Sequence, residues 1–161
     1  MNNRGVSTSV NKETEIKIYS EGNNMMYANP FLLIGGVASF MIALAHFALV
    51  FNPSGYRLIG EDNLADMHEQ GSSIPLGITI GTVILFFVWG IYALSGAGLI
   101  APLPLLKGAL ITVGIFYLLR SIVLPMELFK MISENYPRRL VIFSSGALIL
   151  GILYLIGVFI G

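Results

Sequence analysis

Three ionisable side chains stand inside otherwise apolar stretches of this 161-residue chain: His46, Lys107 and Arg120. A charge held at the middle of a bilayer costs roughly 3 kcal/mol or more, so a chain that keeps one has a partner or a use for it. Lys107 lies about one turn into its stretch, and its flexible stem can carry the ammonium to the membrane surface. His46 is five residues before Phe51 and Arg120 four before Leu124. At about 1.5 Å of rise per helical residue, both lie roughly 6 to 8 Å beneath the same face. Hydroxyls gather at a similar depth: Thr79 and Thr82 follow Ile74 by five and eight residues, and Ser144 and Ser145 follow Leu140 by four and five. Just past Pro125, Glu127 adds a carboxylate.

This spacing predicts a polar layer shared by four helices and suited to the polar end of an amphiphile, either a lipid headgroup or a quinone. Arg120 would hold a phosphate, carboxylate or carbonyl oxygen through its fork of N–H donors. His46 would exchange a hydrogen bond, and Thr79, Thr82, Ser144, Ser145 and Glu127 would complete the ligand-binding set. The same residues also have a plainer reading. His46 then bonds a neighbouring Ser or Thr, Arg120 snorkels to Glu127 or to lipid phosphate, and the hydroxyls bond their own helix backbone.

Other chemistries fall to the residue list. Cysteine is absent, which removes disulfides, thiolate catalysis and iron–sulfur clusters. His68 sits in a polar segment, so no second intramembrane imidazole is present for a bis-histidine haem. There is no HExxH sequence, no carboxylate pair within the apolar runs and no glycine-rich phosphate loop, and Glu61, Asp62, Asp66 and Glu69 lack the spacing of a calcium loop. No metal is expected, a quinone is the one cofactor left open, and no conventional catalytic site is legible.

The elements that must position these groups are four apolar runs, residues 31–51, 74–95, 103–124 and 140–160. Each matches the roughly 20 helical residues that cross a hydrocarbon core about 30 Å thick. Composition agrees, at 55% hydrophobic and 11% charged, against the roughly 25% charged residues of a soluble domain. The expected fold is an all-α membrane four-helix bundle of up-down topology spanning residues 30–161, behind a polar N-terminal tail of residues 1–29. That tail lacks the apolar core of a cleavable signal peptide, so the first span is expected to act as its own targeting signal. Two short interfacial helices are expected on one side, over residues 61–70 and 126–136. Pro30 fits a first helical turn, Pro125 should stop the third span, and Gly71 should follow a helix end. The short link 96–104 makes the second and third spans antiparallel neighbours. Trp89, Tyr92 and Tyr154 lie towards the terminal side, where rings commonly mark the headgroup level.

Nine basic and nine acidic residues give no net charge and no basic stripe, which sets nucleic acid aside. Lys12, Lys17 and Lys107 fall on the terminal side and Arg57, Arg120, Lys130, Arg138 and Arg139 on the loop side. This places the protein in a cell (inner) membrane with a slight lean to termini outside. Small residues recur at helical spacing, as Gly35 and Ser39, Gly77 and Gly81, Gly108 and Thr112, Ala147 and Gly151, and Gly157 and Gly161. They serve packing within the bundle, with a homo-oligomer as the alternative.

The segment HFALVFNPSGYRLIG from His46, the acidic stretch at Met67, His68 and Glu69, and the segments VWGIYALSGAGLIAPLPLLK and YLLRSIVLPMELF resemble small uncharacterised bacterial integral membrane proteins with four helices. The likeness covers roughly residues 30–160 and implies no particular reaction. By size and helix count the chain is also similar to DoxX-type four-helix membrane proteins, some of them linked to quinone-coupled oxidation, and that likeness assigns no residue. Two further readings stand beside amphiphile binding. One is a structural or accessory subunit of a larger membrane complex. The other is a small transporter, which would want a continuous polar path and a central carboxylate that no span supplies.

Overall fold

The computed structural model describes Thr14 and residues 28–52, 54–133 and 136–160. The expected tail therefore lies almost wholly outside the described residues. Those residues form seven helices from residue 30 onward: α1 Pro30–Phe51, α2 Gly55–Ile59, α3 Asp62–Glu69, α4 Ile74–Gly96, α5 Leu106–Ser121, α6 Leu124–Ser133 and α7 Arg138–Ile160. Helices α1, α4 and α7, together with the stretch Leu106–Ser133, are long and apolar enough to cross a membrane. The protein is a multi-pass helical membrane bundle.

Local chemistry sets the helix ends. Asn29 Oδ1 accepts from the Phe31 and Leu32 amides at 3.1 and 3.2 Å, and Pro30 fills the first helical position. At the end of α3 the Ser72 amide reaches back to the Met67 carbonyl and the Gly71 amide to that of His68. Gly71 takes the positive φ, 81°, that this helix-ending pair of bonds requires.

The third span differs from expectation. It begins at Leu106 and breaks at Ile122 and Val123, ahead of Pro125 rather than at it. Proline has no amide to offer the Ser121 carbonyl, and its ring collides with that carbonyl, so the disruption falls on the preceding turn. Helix α6 then occupies most of the expected 126–136 interfacial segment. The other expected interfacial segment is α3, preceded by the single-turn α2. Gly60 makes the corner between them at φ 87°, and a side chain there would meet Leu140 Cδ2 at 2.7 Å.

Around the bundle α1 packs chiefly on α4 and α5 chiefly on α7, while α1–α7 and α4–α5 contacts close the ring. The second and third spans do touch, but the closer pairs are first with second and third with fourth. Small residues make those pairs close. A Cβ on Gly36 would lie 3.0 Å from that of Ala93, and one on Gly151 3.0 Å from the Gly114 carbonyl. Large apolar side chains such as Ile34, Met41, Leu44, Ile84, Leu119 and Ile142 are exposed on the outside. This is the order expected in lipid, where no hydrophobic force joins helices and close packing must do so. Gly35 with Ser39 and Ala147 with Gly151 are buried inside, whereas Gly77, Gly81 and Gly108 face open space. Gly161 lies outside the described residues.

Rings expected at the headgroup level are instead core. Tyr154 is fully buried, and Trp89 meets Phe86, Phe116 and Tyr117 edge-on. Only Tyr92 keeps a marginal position, donating to the Pro104 carbonyl at 3.4 Å. At the terminal end Asn29 joins three helices. Its amide donates to the Ala97 carbonyl at 3.1 Å and its Nδ2 to that of Gly157 at 2.7 Å.

Candidate functional site

The expected polar layer exists as separate corners. On α4, Thr79 Oγ1 donates to its own helix at the Pro75 carbonyl, 2.9 Å, and accepts the hydroxyl of buried Tyr56 at 2.6 Å. That pair fixes α2 against the end of the bundle, which is a structural duty. The Thr82 and Ser145 hydroxyls turn back to the carbonyls of Ile78 and Val141. His46 Nδ1 lies 2.9 Å from the Ile42 carbonyl, and since a carbonyl only accepts, Nδ1 carries the proton. Its ring rests against Phe86, centroids 5.4 Å apart. His46, Thr79, Thr82 and Ser145 are thus kept apart from Arg120.

Arg120, Ser144 and Glu127 do come together. Near the end of α5, Arg120 Nη1 donates to the fully buried Ser144 Oγ of α7 at 3.1 Å. Ser144 takes only one of the guanidinium donors. Past the break before Pro125, α6 brings Glu127 to the same corner, where it is only 8% exposed. A cavity of about 330 Å³ lies there, lined by Arg120, Glu127, Lys130, Glu61, Tyr136, Gly60 and the apolar Ile59, Val123, Met126 and Leu140. Its volume is at the low end of small-molecule sites, and its lining mixes an apolar wall with a few converging polar groups, as such sites do.

Charge is divided across this cavity. Arg120 and Lys130 bring two cations and Glu61 and Glu127 two carboxylates, yet among the described residues the ion pairs are those of Arg57 with Asp66 and Glu69. No nitrogen of Arg120 or Lys130 therefore comes within salt-bridge distance of Glu127. Lys130 Nζ sits 5.9 Å above the Tyr136 ring. Burial first, and then the charge and hydrogen bond of Glu127, push the Tyr136 hydroxyl above the ordinary tyrosine range, while Arg120 draws it down. Glu127 Oε2 is buried and has no hydrogen-bond partner among the described residues. Such a group carries its full desolvation cost until a donor reaches it.

Sequence reading places Glu61 and Lys130 on the interfacial segments that could roof the polar layer, and both line this cavity; it missed Tyr136, and it missed a second polar cluster altogether. In the bundle centre Ser39 Oγ donates to the Gly35 carbonyl at 2.9 Å and accepts the hydroxyls of Tyr154 and Tyr117 at 2.8 and 3.2 Å. All three hydroxyls are satisfied in that arrangement, so the cluster locks α1, α5 and α7 and offers nothing to a ligand. Its signal was the small-residue pair Gly35 and Ser39 facing two mid-span tyrosines. Among the described residues no group of three or more His, Asp or Glu is placed to hold a metal ion.

A scan against protein-family models and searches of curated proteins and of solved structures find no match to this chain.

Proposed function

We propose that the protein binds an amphiphile, a lipid or a quinone-like molecule, at the cavity between α5, α6, α7 and the Gly60 corner. The observation that carries this reading is a buried carboxylate oxygen without a partner beside a guanidinium with donors to spare, on one cavity. Left alone, that arrangement costs free energy; an inserted polar head offsets it. The apolar wall of Val123, Met126 and Leu140 suits the glycerol or chain region next to such a head. The resemblance to DoxX-type proteins favours a quinone among amphiphiles, but quinone carbonyls only accept and would serve Arg120 while leaving Glu127 bare.

The test compares amphiphiles co-purified with the parent protein and with Arg120→Ala, both in mild detergent. Retention should fall about tenfold, the scale of a lost charge-assisted hydrogen bond. Unchanged retention in a folded variant removes the proposal. We infer further that the host is the cell (inner) membrane with the loop side cytoplasmic, since Arg57, Arg120, Lys130, Arg138 and Arg139 cluster there. Cysteine labelling from each side checks this orientation.

A second reading, an accessory subunit of a larger complex, is favoured by the open small-residue face at Gly77 and Gly81 of α4, where an added Cβ meets nothing. Stoichiometric partners after gentle extraction and mass spectrometry would support it. A monomer carrying only lipid would refute it.

A further inference from the structure

We infer that the cavity at Arg120 selects a head carrying a phosphate together with a primary ammonium, the head of an aminophospholipid, in preference to a simple anion or a quaternary ammonium. This rests on the amphiphile-binding reading above and narrows it to one chemical class. Three observations carry it.

The first is charge balance. Arg120 and Lys130 line the cavity with Glu127 and Glu61, so the site as a whole is neutral. A lone phosphate would answer the cations and add repulsion at the carboxylates. A zwitterion answers both. The second is separation. Glu127 shares the cavity with both cations, yet no nitrogen of either lies within 4.0 Å of its carboxylate, so the opposite charges are held apart. Charges that could neutralise each other and do not are poised for a molecule bearing the complementary pair. The third is the buried Glu127 Oε2, which lacks a donor among the described residues. Tyr136 lines the cavity beside the same carboxylate. The unserved oxygen calls for an N–H or O–H, which a primary ammonium has and a trimethylammonium lacks. The terminal torsion of a glutamate is broad, so a small rotation turns Oε2 from its sealed position towards an arriving donor. Arg120 meanwhile presents a planar fork to phosphate oxygens, with Lys130 as a second, point-like cation.

The experiment uses the full chain in mild detergent and native mass spectrometry with matched-chain phosphatidylethanolamine, its N-methyl and N,N-dimethyl derivatives, phosphatidylcholine and phosphatidylglycerol. Soluble phosphoethanolamine serves as a competitor. Binding should persist through the methylated derivatives that keep an N–H and drop about tenfold at phosphatidylcholine, with phosphatidylglycerol also weak. Glu127→Gln should bring the ethanolamine and choline lipids to within about twofold, since the amide no longer offers a charged acceptor. Arg120→Ala should weaken all the phospholipids together. Equal binding of ethanolamine and choline lipids by the parent, with Arg120→Ala still weakening both, overturns the inference and leaves the amphiphile reading intact. Absence of phospholipid binding by the parent overturns both. Because the methylation series runs on the parent protein, a Glu127→Gln variant that failed to fold would not spoil the test. Competition by phosphoethanolamine at concentrations comparable to the lipids supports the head chemistry with a soluble source, and its failure supports a membrane source.

Discussion

Ser39 and Glu127 are both buried polar residues, and they have opposite fates. Ser39 meets a carbonyl and two phenols and is complete within the protein; Glu127 has one oxygen that nothing described here serves. Removing Ser39 strands the Tyr117 hydroxyl and leaves that of Tyr154 with the longer bonds to the Gly35 and Trp89 carbonyls, 3.3 and 3.5 Å, whereas removing the Tyr117 hydroxyl leaves Ser39 with Gly35 and Tyr154. Ser39→Ala should therefore cost about 1 to 2 kcal/mol and Tyr117→Phe under about 1, read as thermal unfolding in detergent. A reversed order would show that the cluster is wired differently. At the cavity, the raised Tyr136 hydroxyl is predicted to fall part of the way towards its ordinary value in Glu127→Gln, because burial remains when the charge is gone. An ultraviolet titration corrected with Tyr136→Phe reads this. The sign follows from linkage. A tyrosine held above its unfolded value contributes stability that is fully present below that unfolded value and is lost as pH rises through the folded one. The parent should therefore lose that contribution at alkaline pH, and the glutamine variant should lose less.

Among the elements, the α5–α6 break decides the most. Pro125→Ala restores a donor to the Ser121 carbonyl and removes the ring clash, so α5 and α6 should fuse into one helix. Helicity by circular dichroism should rise slightly, and amphiphile retention should fall if the cavity depends on the break. Retention at the parent level would show that the cavity does not depend on the break. The same helices show what could be read from residue order alone. Apolar run length fixed the four spans, Asn29 and Pro30 marked a start, Pro125 marked a stop, and Gly71 marked an end. Rise per residue gave the depth of His46, Arg120, Thr79, Thr82, Ser144 and Ser145. It could not give their azimuth. These helices are apolar all round, so no amphipathic stripe says which side faces inward, and threonine or serine in a lipid-soluble helix can satisfy itself on the turn behind. Arg120 and Ser144 meet because they share an inner corner; His46 and Thr82 have other neighbours. Tyr136 was illegible for a different reason, since its place depends on how the chain returns from α6 to α7.

Over the whole molecule the two ends of the bundle are built differently. At the terminal end Asn29 bonds α1 to the close of α4 and to Gly157 of α7, Ser95 Oγ donates to the Ala101 carbonyl and accepts the Leu103 amide, and Lys107 stands 5.6 Å over the Phe159 ring. Every one of the four long helices is stitched there. At the loop end the ties are the Tyr56–Thr79 pair, the Arg120–Ser144 bond and a 3.3 Å bond from Arg139 Nη2 to the Arg57 carbonyl, and between them lies the cavity. A bundle fastened at one end and hollow near the other should pivot about the clasp and spread at the tips, as tweezers do. Amide hydrogen exchange should accordingly be slow near Asn29, Ala97 and Gly157 and faster around Ser121 to Leu140. Asn29→Ala should even out that gradient, which would make a residue at the far end of the bundle a governor of how readily the tips admit their guest.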